Sequence, residues 1–168
     1  MAVRNQLVHR PPHAVWAVLA DPNRFEDWVV GPSDSRPLDR TWPDVGSRLC
    51  YTVRLGPWSS EGVTTVRYVE PGRELELEAS FKSLGTARIF LQLRPWGEET
   101  LVICDEHPLR GLGGTLHNPA IEALIQLRHR GMLARLARLV EQDPVAGQGP
   151  AGEREPAREQ GRPRPRGA

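Results

Sequence analysis

Between about residues 36 and 107, apolar and polar positions alternate with a period of two. The clearest stretch sets one apolar face against one polar face, with Leu75, Leu77, Ala79 and Phe81 opposite Glu74, Glu76, Glu78 and Ser80. Turn-forming residues separate the alternating stretches, at Gly56-Pro57, Pro71-Gly72, Ser83-Leu84-Gly85 and Trp96-Gly97. Strands that follow one another this closely are joined by hairpins, so the pattern predicts an antiparallel sheet with one apolar face.

Helical patterns flank the predicted sheet. Residues 2–10 form a predicted first strand, and Pro12 then begins a helix in which apolar residues recur at helical spacing. Asp21-Pro22 is typical of an N-cap followed by a second helix, which we expect to reach about Trp28. Asn118-Pro119 begins a long helix, and Asp143-Pro144 ends it.

The long helix carries an apolar stripe that can cover the apolar face of the sheet. Its main positions are Ile121, Ile125, Met132, Leu136 and Leu139. About 24 residues at 1.5 Å each give roughly 36 Å, enough to lie across the whole sheet. The pattern thus predicts an α+β fold, in which the C-terminal helix packs on an antiparallel sheet.

The composition changes abruptly after Gln142. Residues 143–168 hold five Pro, five Gly, five Arg and four acidic residues, and Val145 is their one large aliphatic residue. Such a segment cannot bury enough apolar area to offset the entropy of ordering, so we expect a disordered tail. The predicted organisation is one folded domain over residues 1–142 and a tail over 143–168.

Charge and cysteine content exclude several classes of function. A net charge of +1, from 22 basic and 21 acidic residues, argues against a nucleic-acid partner. The N-terminal residues Met1–Gln6 contain no apolar run of signal-peptide length, and the longest apolar run, Ala14–Ala20, is too short to cross a membrane. Cys50 and Cys104 lack metal-ligand spacing, so we expect no metal site and two reduced thiols in a cytoplasmic protein.

The order of elements and several short motifs resemble a known superfamily. The motifs are Pro12-His-Ala-Val-Trp16 leading to Asp21-Pro22 and Trp28, Trp42-Pro-Asp-Val-Gly46, Val69-Glu-Pro71, and Arg128-His-Arg130 with Leu133, Leu136 and Leu139. Residues 3–142 resemble the SRPBCC superfamily (START-like, helix-grip fold), in its polyketide cyclase/dehydrase-like branch.

The resemblance implies a helix-grip fold: a curved antiparallel sheet wrapped around a long C-terminal helix, with two short helices after the first strand. It also implies an apolar cavity between sheet and helix, and it implies no cofactor and no fixed catalytic set. The residues that we expect around this cavity are Trp28, Trp42, Tyr51, Ala79, Phe81, Ile89, Leu91, Ile103, Leu112, Ile125, Arg128 and Met132. Trp28 and Trp42 are expected at its mouth, where aromatic rings stack on flat ligands.

Three polar residues are candidates for chemistry in that cavity. Arg128 falls within the apolar stripe of the long helix, where its guanidinium needs a partner or water. It either anchors a carboxylate or enolate oxygen, pairs with Asp105 or Glu106, or reaches the cavity opening. Asp105 and His107 share one face of the last strand and Glu106 lies on the other, so a carboxylate points inward in either register.

Three functions remain open at this point. The first is non-covalent binding of a hydrophobic or aromatic small molecule. The second is a polyketide cyclase or aromatase, in which Asp105, His107 and Arg128 support acid–base catalysis and stabilise an enolate. The third is a protein-interaction module with a filled cavity. The sequence leaves the oligomeric state open.

Overall fold

The fold is built from seven strands and three α-helices, seen in a computed structural model that describes residues 2–55, 58–81, 85–111 and 119–143. The side chains of residues 2, 55, 58, 81, 108–111 and 119–130 lie outside this description. The elements are β1 (Ala2–Val8), α1 (Pro12–Leu19), a 3-10 turn (Pro22–Arg24), α2 (Phe25–Trp28), β2 (Pro32–Pro37), β3 (Arg48–Leu55), β4 (Trp58–Glu70), β5 (Glu74–Phe81), β6 (Gly85–Trp96), β7 (Glu99–Gly111) and α3 (Pro119–Gln142).

All neighbouring strands pair antiparallel, in the order β1-β7-β6-β5-β4-β3-β2. β3 to β7 follow one another as hairpins, which confirms the antiparallel sheet predicted from the turn signals. Two of those turns use a glycine with positive φ, Gly72 at 77° and Gly97 at 64°. A side chain is strained in that region, so these two positions favour glycine.

The two faces of the sheet differ as the period-two pattern predicts. On β5, Leu75, Leu77 and Ala79 are buried on the face toward the helices, which we call the inner face. The glutamates between them lie on the outer face. There Glu76 pairs with Arg88 (3.2 Å) and Glu78 with Arg67 (3.0 Å). These ion pairs are partly exposed to solvent and contribute little to stability. The stability of the fold therefore depends mainly on burial of the inner face.

Helix α3 packs on one edge of this sheet and on the two short helices. It contacts β1, β7, α1 and α2. Its second half buries a stripe that includes the predicted Met132 and Leu136 and extends to Leu133, Ala137 and Val140. Leu139, predicted in the same stripe, is only half-buried. The helix-grip architecture implied by the resemblance is therefore confirmed.

Polar contacts hold the C-terminal end of α3 to the rest of the fold. Arg24 pairs with Asp143, just beyond the helix. Arg10 donates from its guanidinium to the carbonyl oxygen of Glu141 at 3.2 Å. The backbone N–H of His9 donates to a carboxylate oxygen of the same glutamate at 3.0 Å. Contacts from the two residues after β1 and from the 3-10 turn thus converge on the C-terminal end of the helix.

His9 makes the stability of this end depend on pH. Its Nδ1 lies 2.5 Å from Glu99 Oε1, and this hydrogen bond and the charge of Glu99 raise the pKa of His9 above 6.5. Because the protonated form of His9 is favoured in the folded protein, the pairing gives its full stabilisation below the pKa that His9 has in the unfolded chain. This contribution is lost as the pH rises through the higher pKa of His9 in the folded protein. We expect His9→Gln to lower the free energy of unfolding most near pH 6 and progressively less at higher pH, as measured by urea denaturation. A pH-independent difference would contradict the pairing.

Two local predictions need correction. The second short helix is a 3-10 turn followed by the single-turn α2, although its predicted cap is present, since Asp21 Oδ1 accepts from the Asn23 N–H at 2.9 Å. β2 begins at Pro32, before the predicted start of the sheet near residue 36. β2 is polar, so it lacks the alternation of apolar and polar residues from which strands are predicted. It is bounded by Pro32 and Pro37, and proline is tolerated there because β2 lies at the edge of the sheet.

Candidate functional site

The inner face changes from large to small side chains along the strands. One end is covered by Val66, Leu75, Leu77, Ile89, Leu91, Leu93 and Val102, all buried. At the other end, Thr64 pairs with Ala79 and Ala79 with Ala87, and the next row brings Gly62, Gly85 and Gly111 onto neighbouring strands beside position 81. We call the second group, Gly62, Thr64, Ala79, Gly85, Ala87 and Gly111, the small-residue end. Each of these six residues contributes little side-chain volume, and Phe81, whose side chain lies outside the description, pairs with Gly62 and Gly85 in the same row.

Tyr51 covers part of the small-residue end. It pairs with Gly62 across β3 and β4, and its ring lies directly over that glycine. A Cβ at position 62 would lie 2.5 Å from Tyr51 Cζ and 2.6 Å from its hydroxyl oxygen, closer than real contacts allow. Glycine is therefore required here by the close approach of a ring rather than by the backbone conformation.

An aromatic cluster adjoins the small-residue end. Phe25 lies at its centre, with ring centroids 5.5 Å from Trp28, 6.3 Å from Trp42 and 6.0 Å from Tyr51. The contacts with both tryptophans are edge-to-face, the geometry that aromatic pairs prefer. The sequence analysis did not single out Phe25. Its spacing of three residues from Trp28, which puts both rings on one side of a helical turn, is the signal that could have found it.

Trp28 and Trp42 lie deeper than predicted. They were expected at the mouth of a cavity, but Trp28 is 1% exposed and Trp42 9%. The indole N–H of Trp42 donates to the carbonyl oxygen of Leu19 at 3.4 Å, which ties the β2–β3 connection to the end of α1. Both tryptophans belong to the interior wall and not to its rim.

Two polar groups in this interior have no hydrogen-bond partner among the described residues. The Thr64 hydroxyl lies on the inner face between Leu49 and Ala79, and Thr64 is 1% exposed. The Trp28 Nε1–H is likewise buried and unsatisfied. Buried donors of this kind cost free energy unless something pairs with them. They are the groups that an oxygen-bearing molecule could satisfy.

The register of β7 corrects three predicted site residues. Val102, Cys104 and Glu106 are buried on the inner face, whereas Ile103 pairs with Asn5 and Gln92 on the outer face. Asp105 and His107 share that outer face and pair with each other, Asp105 Oδ2 to His107 Nε2, at 2.9 Å. Ile103, Asp105 and His107 therefore do not reach the interior.

The inward carboxylate is Glu106, which is 7% exposed and lies opposite Ile89. Its presence follows the expectation that one carboxylate of this strand points inward. The side chains of Phe81, Leu112, Ile125 and Arg128, also predicted at the site, lie outside the described residues. The pairing of Arg128 with Glu106 therefore stays a prediction. Among the described residues, no group of three potential metal-ligating side chains converges.

The described part of the interior is closely packed. Tyr51, Ala79, Ile89, Leu91 and Met132 are all buried, as predicted for residues between sheet and helix. Leu91 is fully buried, so no open void touches it. A ligand that contacts these walls has to displace some of their side chains. The open cavity implied by the resemblance is thus not seen along the described walls.

A family model described as "Polyketide cyclase / dehydrase and lipid transport" matches residues 2–141. A comparison with curated protein sequences gave no significant match. No helix in the described ranges combines the length and apolar character needed to cross a membrane.

Solved structures share the fold at low sequence identity. A START superfamily protein from Mycobacterium smegmatis superposes with a TM-score of 0.70 at 17% identity, covering 84% of this chain and 97% of that protein. Ara h 8.0201 gives a TM-score of 0.69 at 10% identity over 84% of this chain and 97% of its own. DynU16, from the dynemicin biosynthetic locus, gives 0.61 at 21% identity, and the match spans 84% of this chain but 47% of DynU16.

Proposed function

Because the chain belongs to the polyketide cyclase/dehydrase and lipid transport family, we propose that it binds a hydrophobic or aromatic small molecule between the inner face of its sheet and α3. The observation that carries this proposal is the small-residue end, which lies against an aromatic cluster. Because glycine and alanine put little side-chain volume over the backbone of neighbouring strands, a guest that displaces the covering side chains can approach the sheet there. We further propose a cytoplasmic location and a disordered tail beyond Asp143, which itself pairs with Arg24.

Tyr51 supplies a simple way to open that volume. Its ring covers Gly62 and also packs at 6.0 Å from Phe25. Rotation about the Tyr51 side chain, with no change of backbone, would uncover the glycine and expose aromatic edges to a flat guest. A site that is covered by one ring can be buried and packed, and can admit a guest when that ring rotates.

The buried polar groups favour a guest that carries oxygen. A carbonyl or hydroxyl group near the Thr64 hydroxyl and the Trp28 N–H would pair with groups that have no hydrogen-bond partner among the described residues. Polyketide-like aromatic molecules and oxygenated lipids both have such groups on an apolar body. This is the substrate class that the interior suits best.

We expect Thr64→Val to stabilise the ligand-free protein by about 1 kcal/mol, because valine keeps the shape and removes an unpaired buried hydroxyl. Urea denaturation measures this difference directly. Thr65→Val is the matched control on the outer face, where a half-buried hydroxyl gains nothing from removal. If Thr64→Val destabilised the fold, the hydroxyl would have a partner and the argument for an oxygen-bearing guest would lose half its support.

A polyketide cyclase or aromatase is the second candidate, and Glu106 is the observation that favours it. A buried carboxylate on the inner face can abstract a proton next to a carbonyl, a step that ring closure of a polyketone needs. The outward position of Asp105 and His107 removes two of the three residues of the expected catalytic cluster, and the side chain of the third, Arg128, lies outside the described residues. Conversion of a linear polyketone that is lost in Glu106→Gln, with binding of the polyketone retained, would establish catalysis.

Native mass spectrometry of the protein purified from its own host tests the proposed binding function. We expect a fraction of the protein to carry an additional mass that corresponds to one apolar, oxygen-containing molecule, released by organic solvent. The sample for comparison is the same chain refolded from denaturant, which has lost its guest. Protein that is free of any adduct, and that binds neither lipids nor aromatic polyketides on addition, would overturn the proposal in favour of a protein-interaction module.

A further inference from the structure

A further buried hydroxyl group lies at the β2 edge of the inner face. Ser35 pairs directly with Tyr51 on β3, and residues directly opposite each other in an antiparallel pair project to the same face of the sheet. The Ser35 side chain is therefore on the inner face, whereas its neighbours Asp34 and Arg36 are exposed. Its Oγ is buried and has no hydrogen-bond partner among the described residues. A hydroxyl group in this state costs free energy until something pairs with it.

Ser35 and Thr64 lie on opposite sides of the space that the Tyr51 ring occupies. Ser35, Tyr51 and Gly62 form one row across β2, β3 and β4, and the Tyr51 ring lies over Gly62. Thr64 lies two residues beyond Gly62 on β4, on the same inner face. Two strand spacings across the sheet and two residues along a strand separate the Cα atoms of Ser35 and Thr64 by about 12 Å. The two hydroxyl groups are therefore too far apart to pair with each other.

The separation of the two hydroxyl groups sets the length of a guest that satisfies both. Rotation of the Tyr51 ring would open the path between them, and a guest with oxygen at one end only would pair with one of them. Each hydroxyl group can donate or accept, so the guest oxygen can belong to a hydroxyl or a carbonyl group. Two hydrogen bonds of about 2.8 Å each leave about 6–7 Å between the guest oxygens. Two fused six-membered rings with an oxygen at each end have this length.

The charge beside this path favours a neutral guest. Glu26 follows Phe25 on α2, and the Phe25 ring packs 6.0 Å from the Tyr51 ring. One carboxylate oxygen of Glu26, Oε2, is buried and has no hydrogen-bond partner in the described part of the chain. A second carboxylate brought in beside α2 would be repelled, whereas a phenol or a ketone would not. The surroundings of Tyr51 therefore suit an oxygenated aromatic molecule better than a fatty acid.

We propose that Ser35 and Thr64 together select a neutral guest of two fused aromatic rings with a hydroxyl or carbonyl oxygen at each end, held across the position of the Tyr51 ring. This inference rests on the proposed binding function, because it names the class of guest that the same interior takes. Ser35 is the specificity-determining residue in it, since Thr64 alone pairs equally well with a guest that carries oxygen at one end.

Fluorescence titration of the full-length protein with two isomeric probes tests this selection. 2,6-Dihydroxynaphthalene carries its hydroxyl groups at opposite ends, and 2,3-dihydroxynaphthalene carries both at one end. We expect the unsubstituted protein to bind the 2,6 isomer about fivefold more tightly, the effect of one additional hydrogen bond. Ser35→Ala should weaken binding of the 2,6 isomer about fivefold and that of the 2,3 isomer by at most about twofold, because the latter still pairs with Thr64. Ser33→Ala, at an exposed serine of the same strand, is the matched control and should change neither affinity.

The outcomes separate this inference from the function on which it rests. Equal affinity of the two isomers for the unsubstituted protein, or equal weakening of both in Ser35→Ala, would overturn the inference alone. So would failure of both isomers to bind a protein that takes up the uncharged aromatic dye Nile red. Failure of both isomers and of Nile red would overturn the proposed binding function as well. Urea denaturation of Ser35→Ala should show no loss of stability, and a clear loss would mean that the hydroxyl group already has a partner.

Discussion

Ala79→Trp should abolish the uptake of an uncharged aromatic probe such as Nile red, weakening its affinity by at least about tenfold. Ala79 lies at the centre of the small-residue end, between Thr64 on β4 and Ala87 on β6, and its side chain faces the interior. An indole there fills the volume that the guest needs. Fluorescence titration of Nile red into the purified variant measures the loss.

Ser80→Trp is the matched control for this substitution. Ser80 is the next residue on β5 and is exposed on the outer face, so the same indole is added without reaching the interior. Overpacking at Ala79 is expected to cost about 1–3 kcal/mol, and urea denaturation establishes whether the variant is folded under the conditions of the titration. If Ala79→Trp is unfolded under those conditions, Ala79→Leu is used in its place, because leucine adds a smaller side chain at the same position. Unchanged Nile red affinity in a folded Ala79 variant, or equal loss in Ser80→Trp, would place the probe outside the interior.

Phe25→Ala should lower the free energy of unfolding by about 3–5 kcal/mol, the range for loss of a fully buried aromatic side chain. Phe25 is 3% exposed and its ring contacts three other aromatic rings, so the cavity left behind lies at the junction of α2, β3 and the β2–β3 connection. Those neighbours are anchored on separate elements and cannot all collapse into the space. Urea or thermal denaturation followed by tryptophan fluorescence gives the value.

Trp96→Ala is the control for general loss of aromatic surface. Trp96 is larger than Phe25 but is 64% exposed next to the β6–β7 turn, so its removal should change stability by no more than about 0.5 kcal/mol. A Phe25→Ala variant as stable as Trp96→Ala would mean that the aromatic cluster does not hold α2 against the sheet.

The sequence carries enough information for the architecture but not for the register of the last strand. On β5, glutamates alternate with leucines, so one face is unambiguous and the structure agrees. On β7, both faces are apolar, because Leu101 and Ile103 alternate with Val102 and Cys104. A period-two pattern with apolar residues on both faces cannot select the inner one, so the sequence predicts an inward carboxylate but not whether it is Asp105 or Glu106.

The interior itself was predicted less well than the fold around it. That Tyr51 and Ala79 lie on the inner face follows from alternation along β3 and β5. The coverage of Gly62 by the Tyr51 ring does not, because it depends on pairing between two strands and on the rotamer of one side chain. Whether a void remains between sheet and helix is decided by such contacts, which no local pattern in the sequence encodes.

Intermolecular nuclear Overhauser effects between bound Nile red and the protein methyl groups test the central claim most directly. That claim is that a guest occupies the interior at the small-residue end, beside the aromatic cluster. We predict contacts from the ring protons of Nile red to the methyl groups of Thr64, Ala79 and Ala87, and none to Leu75 or Leu93 at the opposite end. Contacts confined to Val3 and Ile103 on the outer face, or to the large-residue end, would contradict the claim.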